Sequence, residues 1–164
     1  MNAPMVLSPA ALARIDREIA KYPPERRASA VMAALAIAQD EKGWLARDAI
    51  EFVATYLDMP PIAVWEVATF YNMYNLEQPG RFKITICTNL PCALSGADTA
   101  AEHLKRRLGL EFGQTGADGL FTLKEGECMG ACGDAPVCLL NDKKMLPQMT
   151  AERLDQLIEE LKRQ

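Results

Sequence analysis

The chain has 164 residues, of which 49% are hydrophobic and 24% charged. That balance excludes disordered, collagen-like and low-complexity classes. A net charge of -4 and a pI near 5.1 argue against a nucleic-acid binder, which would carry a basic excess or stripe. Five cysteines stand beside a single histidine. Five leaves one thiol over from a pure disulfide framework, and only His103 could serve a Cys–His pair, so the chemistry is expected at the cysteines.

The opening MNAPMVLSPAALARID lacks a basic segment followed by an apolar stretch, so it does not read as a secretory signal or an Arg-rich transit peptide. The longest apolar run, Ala30 to Ala38, is nine residues, against the ~20 that a membrane helix needs. The expectation is a soluble cytoplasmic chain without direct membrane insertion. In a reducing compartment, clustered cysteines favour metal or redox chemistry over structural disulfides.

Periodicity predicts four helices first. Ser8-Pro9 is a cap followed by proline at the first helical position, and Leu12, Ile15 and Ile19 recur at helical spacing. A second helix is predicted from Arg27 to Lys42, with Ala28, Val31, Leu35 and Ala38 on one face and Gly43 as its stop. A third carries Ile50, Val53, Ala54 and Leu57 and ends before Pro60-Pro61. A fourth starts there and carries Val64, Val67, Ala68 and Tyr71. Each apolar stripe needs a neighbour to cover it, which predicts a small helical bundle.

The pattern changes near Gln78-Pro79-Gly80, so the expected domains are 1–77 and 78–164. The second half reads β–α–β–β–β–α. Phe82, Ile84 and Ile86 alternate with Arg81, Lys83 and Thr85, a strand with one buried face. Ala97, Ala101, Leu104 and Leu108 form a helix face. Leu120 to Lys124 is a strand, Val137 to Leu140 a buried strand, and Asn141-Asp142 turns it into a short strand near Met145-Leu146. Thr150 caps a last helix bearing Leu154, Leu157, Ile158 and Leu161. The fold class is therefore α+β, a helical bundle followed by a compact α/β sandwich.

Four cysteines form two pairs, Cys87-x4-Cys92 and Cys128-x3-Cys132, with thirty-five residues between. Both pairs fall in loops at strand ends. Four thiolates can hold zinc, a [2Fe–2S] or a [4Fe–4S] cluster. Structural zinc usually uses tight Cys-x2-Cys knuckles, and a ferredoxin cubane uses a run of close cysteines. Two separated pairs suit a two-iron rhomb, one pair on each iron. Zinc or thiol chemistry are the alternatives, although no Cys-x-x-Cys opens a helix as in a thioredoxin-like enzyme. Such a cluster is anionic, so the helix predicted after Cys92 is expected to turn its N-terminal N–H groups toward it, near Ala93 to Gly96. Gly130 and Gly133 are expected to bring backbone N–H groups close to sulfur. Glu127 and Asp134 are expected to face solvent. Cys138 sits in an apolar strand and reads as a small buried hydrophobe, not a ligand.

CTNLPC (87–92), ECMGACGDAP (127–136), DGLFTL (118–123) and EVATFYNMY (66–74) together resemble one family. It is the family of thioredoxin-like [2Fe–2S] subunits of complex I, NADH:quinone oxidoreductase. The resemblance spans nearly the whole chain. It implies a thioredoxin-like fold for the C-terminal domain, and one [2Fe–2S] cluster held by Cys87, Cys92, Cys128 and Cys132. It implies helices docked on the FMN- and NADH-binding subunit, further iron–sulfur subunits of the peripheral arm as neighbours, and a place on the cytoplasmic face of the inner membrane through the complex. The implied role is single-electron exchange with the FMN of the subunit that oxidises NADH. The chain would then serve an oxidoreductase as a subunit, with no complete active site of its own. Related subunits occur in NAD-linked hydrogenases and formate dehydrogenases, which share the motifs. A zinc-stabilised interaction module is the reading of a different class. The chain carries no G-x-G-x-x-G, so it is not expected to bind NADH or flavin itself.

Other features have plainer readings. Trp65, Phe70, Tyr71 and Tyr74 read as bundle core and hinge packing, or as a partner contact. Trp44 reads as a core plug, His103 as a solvated surface residue, and Lys105-Arg106-Arg107 as a solvated helix end favoured by the dipole.

Overall fold

A computed structural model describes residues 6–164. The first five residues of the opening segment, read above for a leader, lie outside the described residues. The chain divides into two compact units, Met1–Gln78 and Pro79–Gln164.

The first unit is helical. Helix α1 (Pro9–Ile19) starts where Ser8 Oγ accepts a hydrogen bond from the Ala11 N–H at 3.2 Å. The helix predicted from Arg27 is instead two pieces. Residues Pro24–Ala30 form a 3-10 segment with Arg26 out of helical geometry (φ -114°, ψ 22°), and α2 runs over Val31–Lys42. Only Ala30 of the 3-10 segment is buried, so no apolar stripe draws these residues into a regular helix. Gly43 then ends α2 at φ +84°, a left-handed conformation that glycine adopts without strain. Helices α3 (Arg47–Leu57) and α4 (Pro61–Phe70) follow as predicted, except that Tyr71 lies just past the end of α4 in extended geometry (φ -91°, ψ 122°). Leu7, Ile15, Leu35, Leu45, Ile50, Leu57 and Val64 are buried in one core, each contributing about 1.5–3 kcal/mol. The plug after Gly43 is Leu45, not Trp44. Leu45 is held by its N–H to the Asn75 carbonyl at 2.8 Å, while Trp44 stays half-exposed.

Ser8 links two helices. Its hydroxyl donates to Glu41 at 2.6 Å, and its backbone N–H donates to both carboxylate oxygens at 3.1 Å. The side-chain bond with Ser8 is the main reason that the Glu41 carboxyl lies below its ordinary 4.5, with the Ser8 N–H next. A depressed carboxyl contributes stability that is complete above 4.5 and is lost as pH falls through its folded value. Ser8→Ala also removes the α1 cap and is expected to cost about 0.5–2 kcal/mol, the loss of a helix N-cap. It is also expected to weaken the pH dependence of thermal melting in the acid range, which melts at several pH values will read.

The second unit is a four-stranded sheet, with helices against it, whose strands lie in the order Phe121–Gly126, Phe82–Cys87, Cys138–Leu140, Lys144–Leu146. Strand β1 (Phe82–Cys87) leads through short helix α5 (Leu90–Leu94) and α6 (Ala97–Leu108) to β2 (Phe121–Gly126), which it pairs in parallel. A parallel pair needs such a crossover. Strands β3 (Cys138–Leu140) and β4 (Lys144–Leu146) add antiparallel, turned through Asn141 and Asp142, both at positive φ. Helix α7 (Ala151–Lys162) is capped by Thr150. Phe82, Ile84 and Ile86 of β1 pack with Leu104, Leu154 and Ile158.

Strand β1 departs from the predicted half-exposed strand, since all six residues are buried. Lys83 is 3% exposed, Thr85 7%, and Lys83 pairs with Asp142. A central strand is covered from both flanks, and a charge there persists because it is paired. His103 is also less solvated than expected: its Nε2 lies 3.0 Å from Asp155 Oδ1, between α6 and α7. The basic run joins it, Arg107 bonding Asp155 and Glu159, and Lys105 lying over the Phe112 ring. Among the described residues, no helix is long and apolar enough to cross a membrane.

Candidate metal centre

Strand directions place the cysteines. Cys87 ends β1 and faces Gly126, which ends β2 in the same direction. Strand β3 runs the other way and begins at Cys138, opposite Ile86. Both cysteine loops therefore leave from one end of the sheet. Cys92 is not in open loop. Pro91 and the bond from the Ala93 N–H to the Asn89 carbonyl (3.0 Å) set it in α5. The helix predicted after Cys92 starts at Ala97 with Gly96 as its cap, so Ala93 to Ser95 are not its N-terminus.

Cys87 and Cys92 are buried with Ala97 and Val137, and Met129, Ala131 and Ala135 of the second loop pack on them. Cys128 and Cys132 are exposed. Burial pushes the Cys92 thiol up to about 11, and its hydrogen bond with Cys87 acts in the same direction. Metal reverses this preference, because the thiolate is the ligand form and binding releases protons. Gly130, at φ +70°, donates its N–H to Cys128 Sγ at 3.4 Å, as expected from the sequence. Gly133 needs no left-handed conformation. Glu127 and Asp134 are exposed, as expected. Among the described residues, no three His, Cys, Asp or Glu side chains are grouped as for a single ion.

Cys138 is separate. It lies on the core side of the sheet with Ile86 and Leu104, and burial pushes its thiol up to about 12.

Three features fit a four-thiolate anionic cluster. All four thiols are free. A backbone N–H already points at one sulfur. Thr85, whose Cγ2 lies beside Gly126 at the root of the second loop, has a buried hydroxyl with no hydrogen-bond partner. Sequence reasoning misses Thr85, because a threonine in an alternating strand looks solvent-facing. Its place two residues before Cys87, on the same strand face, is the available signal.

The family model for the thioredoxin-like [2Fe–2S] ferredoxin matches residues 15–162. The chain belongs to that family. Its fold is thioredoxin-like, and its cofactor is one [2Fe–2S] cluster. Relatives agree along nearly the whole chain. The E subunit of the NADH-quinone oxidoreductase of Rickettsia felis is 43% identical over 143 residues, 87% of this chain and 85% of its own. NADH-quinone oxidoreductase subunit 2 of Thermus thermophilus is 36% identical over 144 residues, 88% of this chain and 80% of its own. Among solved structures, an NAD+-reducing [NiFe]-hydrogenase in its H2-reduced state matches with a TM-score of 0.70 and 26% identity. It covers 79% of this chain, which spans only 22% of the hydrogenase chain.

Proposed function

We propose that this chain is the electron-transfer iron–sulfur subunit of an NADH:quinone oxidoreductase, and that Cys87, Cys92, Cys128 and Cys132 hold its cluster. The observation that carries this is the pair of cysteine loops at one sheet end, in a chain 43% identical to an NADH-quinone oxidoreductase subunit. When bound, a [2Fe–2S] cluster supplies one-electron storage. The chain's own residues supply the ligands, an apolar wall of Ala97, Val137 and Met129 that limits water, and the Gly130 N–H that favours negative sulfur.

The two units form two domains with separate tasks in this reading. The C-terminal unit carries the cluster. The helical unit docks on the partner that binds FMN and NADH, with other iron–sulfur subunits of the arm nearby, on the cytoplasmic face of the membrane. Ile62, Phe70, Tyr71 and Met73 of the helical unit are large apolar side chains left exposed, Phe70 at 80%, and exposed aromatics are enriched at interfaces. Tyr74 instead belongs to the core, its hydroxyl donating to the Met32 carbonyl at 2.8 Å. The likeness to the hydrogenase supports a second host, an NAD-linked hydrogenase.

NADH decides whether electrons arrive through a flavin partner. Added to the isolated iron-loaded chain, NADH is expected to leave the visible absorbance unchanged. With the flavin subunit present, bleaching is expected. Bleaching of the isolated chain would contradict the proposal.

A further inference from the structure

Thr85 carries a hydroxyl whose burial leaves it without a partner among the described residues. It is 7% exposed at the centre of β1, and its Oγ1 is, among the described residues, the buried side-chain oxygen without a partner. A buried hydroxyl left without a partner destabilises the fold. Valine has the same shape and would remove that cost. Alternation puts Thr85 on the face of β1 that Lys83 and Cys87 share, away from Phe82, Ile84 and Ile86.

The surroundings of Thr85 are those of the cysteine loops. A Cβ at Gly126, the residue opposite Cys87, would lie 2.8 Å from Thr85 Cγ2 and 2.7 Å from Met129 Cε. Met129 stands between Cys128 and Gly130 and packs on the Cys87 and Cys92 wall. The threonine methyl thus lies beside Gly126, where the second cysteine loop begins, and the hydroxyl beside it has a hydrogen bond to give. A sulfur carrying extra negative charge accepts such a bond more strongly when the cluster is reduced, and hydrogen bonds to sulfur are one of the ways in which a protein sets cluster potential.

We infer that Thr85 is a positioning residue whose hydroxyl donates to sulfur of the bound cluster and holds its reduction potential up. The inference rests on the proposed ligand set. Electron count and ligands do not change; only the preference for the reduced state does.

The test uses the full chain purified with its cluster, in the natural form and as Thr85→Val and Thr85→Ser. A potentiometric titration read by EPR is expected to show the valine variant about tenfold poorer in reduced cluster at a fixed ambient potential, a midpoint about 59 mV lower for one electron. The serine variant, which keeps the hydroxyl, is expected to stay near the natural value. Pulsed EPR on the reduced natural chain is expected to show a cluster-coupled proton that exchanges in D2O and is missing from the valine variant. Equal midpoints and the same coupled protons in all three chains would overturn the inference while leaving the cluster assignment intact. A natural chain without iron would overturn the assignment itself. If the valine variant does not retain iron, the natural and serine chains decide, and absence of the exchangeable coupling in both overturns the inference.

Discussion

Cys87→Ala is expected to yield a chain with little or no iron, and Cys138→Ala a chain with its full complement. The two thiols are both buried and both in the C-terminal unit, so burial does not separate them. Position does. Cys87 ends β1, where the strand gives way to the α5 turn, and it packs with Cys92 and Val137. Cys138 packs in the core cluster with Ile86, Leu104 and Ile158, not among the residues packed round Cys87 and Cys92. Losing a ligand is expected to cost more affinity than the roughly 10–100-fold that loss of a supporting hydrogen-bond partner costs a metal site. Iron and acid-labile sulfide per chain, measured after anaerobic purification, will read both variants. Full iron in Cys87→Ala, or none in Cys138→Ala, would mean that the ligand set is wrong.

Gly126→Val is expected to destabilise the C-terminal unit and lower iron retention while leaving every cysteine in place. The φ of Gly126 is not positive, so the constraint is space. The added Cβ meets Met129 Cε at 2.7 Å, Thr85 Cγ2 at 2.8 Å and the Ile86 carbonyl oxygen at 3.3 Å. Met129 can swing aside, but Thr85 and Ile86 belong to the central strand. Overpacking of this kind costs about 1–3 kcal/mol. Here it also pushes apart the ends of β1 and β2, from which both cysteine loops spring. Urea melts are expected to show the loss, together with lower iron retention. Gly133→Ala, where an added Cβ meets nothing within 4 Å, is expected to stay within about 0.5 kcal/mol of the natural chain. An unchanged melt for Gly126→Val would show that the strand ends are not packed as described.

The helices of the first unit were legible because their stripes, caps and stops agree: Ser8, Gly43 and the Pro60-Pro61 step all act where the sequence puts them. The 3-10 segment was not, because residues 24–30 carry no packing signal to distinguish it from a poor α-helix. The strands of the second unit and their succession along the chain were equally readable, whereas their order in the sheet, β2-β1-β3-β4, was not. The full burial of Lys83 and Thr85 was not, because alternation reports which side a residue takes and not how well that side is covered. The same limit hid the His103–Asp155 pair, whose partner lies fifty-two residues away on α7. At the candidate site, spacing singles out the four thiols proposed as ligands, whereas the roles proposed for Gly126 and Thr85 depend on register between β1 and β2, which no local pattern encodes.

Metal analysis of the anaerobically purified natural chain, with EPR before and after reduction by dithionite, tests the central claim most directly. The expected result is a red-brown protein with about two irons and two sulfides per chain, silent when oxidised and showing an axial or rhombic signal when reduced. A colourless protein with one zinc per chain would contradict it.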